Sequence, residues 1–167
     1  MRTFTVLSLL AATAVAQTPS FTPFGTGCTF ANQTLAIGNQ GLPRIGQTFQ
    51  ITYSGPNQTF GSNQQIAWPQ LGLGFQQVTT VLPPNLLPNQ PVGCTGYIAP
   101  IVMQPTTPDP VLPVFVTDIA IAIPNDPGLV GVQFLAQWLT LHEQCGFAGC
   151  NLDAALTSDA AIALIGI

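Results

Sequence analysis

Alternation with a period of two, cut at intervals by proline and glycine, most constrains how this chain can fold. In "IGQTFQITYSG" Phe49, Ile51 and Tyr53 fall on one side of an extended backbone. Thr48, Gln50, Thr52 and Ser54 fall on the other, and "SGPN" then supplies a turn. Successive side chains of a strand point to opposite faces, so this pattern predicts a half-buried strand. "DIAIAIPND" repeats it, with Ile119, Ile121 and Ile123 on one face and Pro124 closing the run. "CTGYIAPIVMQ" reads as a strand broken by Pro100, which places it at an edge or a bulge.

"LVGVQFLAQWLTLHEQ" admits two periods. Leu129, Val132, Leu135 and Leu139 would make a helical stripe, whereas Val132, Phe134, Ala136 and Trp138 alternate as in a strand. Gly131, the β-branched residues and the lack of charged i,i+4 pairs favour a long strand. The terminal "LTSDAAIALIGI" is apolar on both faces and is expected to be central or covered, since an exposed edge of this kind would pair with another chain. Proline-rich stretches such as "VLPPNLLPNQPVG" and "QPTTPDPVLP" read as loops. The expected fold is therefore all-β. It is an antiparallel two-sheet β-sandwich, jelly-roll or Ig-like, of seven or eight strands in one domain over residues 17–167.

The first residues are expected to lie outside that domain. "MRTFTVLSLLAATAVAQ" has Arg2, a short apolar run and the small-residue triplet Ala14-Val15-Ala16, the pattern of a secretory signal peptide over residues 1–16. The apolar run is too short for a transmembrane span, and no later stretch reaches that length. Export and an extracellular or cell-surface location are the expectation. Charged residues make up only 5% of the chain, against about 25% in ordinary soluble domains. Beyond the signal the one basic side chain is Arg44, so phosphate neutralisation, and with it nucleic-acid binding, is not expected. Anionic membrane surfaces are disfavoured for the same reason. A neutral surface of amides and hydroxyls suits close packing with other copies or contact with neutral glycans.

"HEQCGFAGC" gathers the single histidine, His142, and two of the four cysteines. An even number of cysteines in an exported chain predicts disulfides. The glycines between Cys145 and Cys150 allow a local bridge, which would leave Cys28 with Cys94; two crossed pairings are the alternatives. Zinc would require His142, Cys145 and Cys150 with Glu143 or Cys94 as a fourth ligand. His-Glu-x-x-Cys, however, lacks the second histidine of the metalloprotease helix. The cysteines are too far apart for a thioredoxin-type motif, and no basic neighbour would lower a thiol pKa. The reading is a stapled loop, with no metal and no cofactor.

Catalytic constellations are thin. A triad would pair His142 with Ser54, Ser62 or Ser158, none in a nucleophile elbow. Asp109, Asp118, Asp126, Asp153 and Asp159 read mostly as turn or strand-edge residues, and His142 as a half-exposed polar residue at a strand end. Among the aromatic residues, Tyr53 and Trp138 belong on core faces. Trp68 and Phe75 are the candidates for ligand contact, Trp68 because Pro69 and nearby glycines predict an irregular segment. Asn32-Gln-Thr34 and Asn57-Gln-Thr59 match the glycosylation sequon.

"PFGTGC", "LPRIGQTFQITYSGPN", "LGLGF", "PVGC", "IAIPNDPGLVGVQFLAQWL" and "SDAAIALIG" follow one another in that order. This series resembles a family of small secreted proteins of planctomycete-type and similar bacteria. The resemblance implies that the early and mid-chain cysteines pair, which supports Cys28 with Cys94, and that Cys145 and Cys150 are an addition to the shared pattern. It carries over no activity and no catalytic residue. The expected role is a non-catalytic structural, surface-matrix or adhesive unit able to self-assemble. A glycan-binding module is the alternative, and a hydrolase a distant third.

Overall fold

The computed structural model describes residues 16–55, 64–106, 118–147 and 149–167. Twelve strands run through them: β1 (Ser20–Phe24), β2 (Thr29–Phe30), β3 (Gln33–Thr34), β4 (Ala36–Gln40), β5 (Thr48–Ser54), β6 (Gln64–Gly74), β7 (Gln76–Val81), β8 (Thr95–Ala99), β9 (Val102–Pro105), β10 (Ile119–Ala122), β11 (Gln133–Gly146) and β12 (Gly149–Leu164). That exceeds the seven or eight expected, because several are short pieces of two to five residues between turns. The strands form a five-stranded sheet, β1-β12-β11-β6-β9, a three-stranded sheet, β10-β5-β4, and the two-stranded pairs β2-β3 and β7-β8. Every strand pair is antiparallel. Among the described residues there is no α-helix, only a 3-10 turn at Pro127–Leu129.

The alternating runs place the core. Phe49 and Ile51 of β5, with Ile119 and Ile123 from the β10 run, pack against Leu71, Ala136, Trp138 and Ala161 of the larger sheet and Ile165 just beyond it. Trp138 is fully buried, and its indole N–H donates to Thr52 O across the sheets at 3.0 Å. Tyr53 meets it edge-on at 5.6 Å between ring centroids. β11 resolves the two competing periods as a strand, because both its faces are needed. Ala136 and Trp138 enter this core, while Leu135 packs on the opposite face with Ile98 and Ala160. The terminal strand is central, between β1 and β11.

Pro100 marks a change of sheet: β8 pairs with β7 and β9 with β6. The crossing passes directly over β6. A Cβ on Gly74 would collide with Ala99 O, and one on Gly72 would crowd Pro100 and Met103, so these glycines admit the close approach. β6 is consequently a regular eleven-residue strand; the irregular segment expected around Trp68 is not present. Pro69 is tolerated there because its carbonyl side faces Thr106, beyond the end of β9, leaving the β11 ladder intact.

The two larger sheets meet on one side, where Ile45 N–H donates to Gly166 O and Gly166 N–H to Pro43 O. Among the described residues no strand pair joins β9 to β10 on the other side. The signal-peptide run, the Asn57 sequon, Ser62, Asp109 and most of "QPTTPDPVLP" lie outside the described residues.

Candidate functional site

β11 and β12 form one long hairpin, and the residues of chemical interest are distributed along it. At its tip Cys145 is bonded to Cys150, while Cys28 is bonded to Cys94 farther down. Phe147, between the tip cysteines, is fully exposed at 109%. Glu143 lies on the opposite side of β11 from His142, and its Oε2 accepts from the Trp68 indole N–H at 3.1 Å. Trp68 is thereby half-buried and oriented, whereas Phe75 stands 66% exposed at the far end of β6. The two candidate contact rings are not brought together. Glu143 comes within 4.8 Å of the Cys145 and Cys150 sulfurs, but those sulfurs are joined to each other and offer no thiolate.

His142 departs from the half-exposed residue expected at a strand end. It is 1% exposed, with its ring 4.6 Å from that of Phe30. Nδ1 lies 3.6 Å from Asp153 Oδ2 and has no hydrogen-bond partner. Burial pushes the imidazole pKa below its ordinary value, and Asp153 opposes that shift.

Asp153 and Asp159 lie in a strand, not in turns, on the part of β12 that β1 does not pair. Both sit inside β12, at its two register shifts against β11. A bulge adds a residue that the facing strand does not pair, which frees polar groups for other partners. At the first, Asp153 Oδ1 accepts from Asn89 Nδ2 at 2.6 Å. At the second, Asp159 Oδ1 accepts from Ile37 N–H at 2.7 Å, and Ser158 Oγ accepts from Trp138 N–H at 3.0 Å. Burial raises the Asp159 pKa and the Ile37 bond opposes it. Asp126 does cap a turn, accepting from Gly128 N–H at 2.8 Å.

β1 covers only the Ala160–Leu164 part of the β12 edge. Below it the exposed backbone is paired by side chains and loop. Gln90 exchanges two hydrogen bonds with Ala155, at 2.7 and 2.9 Å, in the manner of a neighbouring strand. Cys28 N–H donates to Thr157 O at 2.8 Å. The Cys28–Cys94 bridge and the 82–93 loop thus seal a strand edge. Nothing in the sequence marked Gln90 for this, because a single amide in a proline-rich loop carries no periodic signal.

Among the described residues an apolar groove of about 290 Å³ lies between β9 and β10. Leu73, Ile121, Val132, Phe134 and Ile165 line it, and Phe75, Ile101 and Val102 form its exposed rim at 66, 69 and 51%. None of its lining residues is charged. A second concavity lies beside the hairpin tip, where Asn89, Gln144, Asn151 and Asp153 mix with Pro88 and Phe147. Among the described residues no helix is long and apolar enough to cross a membrane. Comparisons of the chain with protein-family models, curated proteins and solved structures return no match.

Proposed function

We propose that this chain is an exported, non-catalytic structural unit that associates with copies of itself in a surface or extracellular matrix. In this reading the five- and three-stranded sheets form a β-sandwich, and residues 1–16 direct export. The observation that carries it is the groove between β9 and β10. Three apolar side chains more than half exposed stand together there, beside strands that have no further strand partner among the described residues, a kind of surface that monomeric soluble proteins seldom expose. Two disulfides suit an oxidising compartment. Charged side chains are few and the net charge is only -4, so repulsion between copies is modest. The burial of His142 against Phe30 and beside Asp153 supports a packing role for it.

The glycan-binding alternative is favoured by one observation, the tip concavity, in which Asn89, Gln144 and Asn151 amides accompany the exposed Phe147 ring. Amides and a ring are the groups that hold a sugar. Sedimentation of the purified chain over a concentration series separates the two readings. Growth in mass with concentration supports assembly. A constant monomer that binds a neutral oligosaccharide array supports the alternative.

A further inference from the structure

We propose that copies join head to tail, with Phe147 of one copy seated in the β9–β10 groove of the next. This rests on the self-association reading above and names its contact. Phe147 is the most exposed large apolar side chain among the described residues. A Cβ built at Gly146 or Gly149 would meet nothing within 4 Å, so nothing packs against the glycines that flank the tip. The Cys145–Cys150 bridge holds the loop that presents it. A loop closed in advance by a bridge has less backbone freedom to lose on docking, and a buried aromatic anchor is a common hot spot.

The groove fits such a ring. An apolar cavity of about 150 Å³ accommodates benzene, and this one measures about 290 Å³. Charge selects the same partner. No residue lining the groove is charged, and none from Gln144 to Leu152 is either. A charged peptide would find nothing to pair with in the groove, whereas this tip buries no charge on entering.

The two surfaces cannot meet within one copy. β11 starts beside the groove, which Val132 and Phe134 line, and ends next to Phe147. Its fourteen residues, at ~3.3 Å each, separate them by roughly 45 Å. The contact therefore joins unlike patches, and unlike patches propagate a chain unless the rotation between copies closes a ring. A knob of this size lies at the low end of interface areas, so assembly is concentration-dependent.

The test uses the full mature chain and two variants with surface substitutions, Phe147→Ser at the tip and Ile101→Lys on the groove rim. Unchanged melting temperatures establish that both are folded. In sedimentation velocity the wild type is expected to grow with concentration, and each variant alone to remain monomeric. An equimolar mixture is expected to stop at dimers, because the Phe147→Ser copy keeps its groove and the Ile101→Lys copy keeps its tip. If Phe147→Ser still polymerises while Ile101→Lys does not, the knob is wrong and the self-association reading stands. Polymers unchanged in both variants also overturn the proposal. A wild type that stays monomeric throughout overturns that reading as well, and loss of oligosaccharide binding in Phe147→Ser would then assign the tip to glycans.

Discussion

His142 Nδ1 faces Asp153 Oδ2 at 3.6 Å, within charge–charge range but beyond a hydrogen bond, at a point closed from solvent. Burial outweighs the carboxylate, which by itself would favour the charged ring, so the imidazole is harder to protonate in the folded chain than in the unfolded one, where its pKa is about 6.5. A group whose folded pKa is depressed in this way binds more protons when unfolded. Stability therefore falls as pH drops from about 6.5 toward the lowered value, with a slope of at most about 1.4 kcal/mol per pH unit. Asp159, whose folded pKa is raised, acts in the opposite sense, adding stability as pH falls from its folded value toward the ordinary carboxylate value. His142→Gln is expected to flatten the decline below pH 6.5 in urea titrations. Parallel wild-type and variant curves across that window would contradict the burial argument.

Gln137 ties three backbone groups together. Its Nε2 donates to Ser158 O at 2.7 Å and Thr95 O at 3.0 Å, and its Oε1 accepts from Tyr97 N–H at 2.8 Å. Leucine would leave these groups unpaired beneath the β7-β8 pair, at about 1–3 kcal/mol for each buried one. Gln137→Leu is expected to cost roughly 3 kcal/mol or more in denaturant unfolding and to speed hydrogen exchange at the Tyr97 amide. A loss under 1 kcal/mol with unchanged exchange would show that β8 is held by other contacts.

The two bridges close loops of very different length, with sequence separations of 66 and 5. On the chain-entropy model the first contributes about 4 kcal/mol and the second about 2. Replacing each pair with serine is expected to lower stability in that order, and a chelator is expected to change nothing. Thermal melts with and without EDTA, on oxidised protein, check both points; a chelator-induced drop would restore a metal role to Glu143 and the tip cysteines.

Gly27 marks the place where the chain leaves β1 and passes the Asp159 bulge. A Cβ there would collide with the carbonyl of Leu35, whose N–H is tied to Cys28 O at 2.9 Å. Gly27→Ala is expected to destabilise the protein by roughly 2 kcal/mol or more, because backbone must move to admit the methyl. A melting temperature within a degree or two of wild type would contradict this packing.

The strands with clean alternation were legible from residues alone: β5, the Ile119–Ile123 run and the terminal β12 all bury the faces their pattern assigns. What stayed hidden depends on partners distant in sequence. β6 looked irregular because Pro69, Gly72 and Gly74 discourage a strand locally, yet each is explained by the short β9 and by the crossing at Ala99–Pro100. Asp153 and Asp159 looked like turn residues because Asp commonly is one, and only the register of β12 against β11 reveals the bulges that accept them. The β2-β3 turn at Ala31-Asn32, with φ of 49° and 63°, carries no glycine to announce it. Phe147 was legible only as part of a stapled loop; its exposure depends on how far the hairpin projects.

Self-association is read out most directly by sedimentation equilibrium of the wild-type protein without residues 1–16. The average mass is expected to rise steadily with concentration and to reach no plateau. A mass that stays at one chain up to the limit of solubility would contradict it.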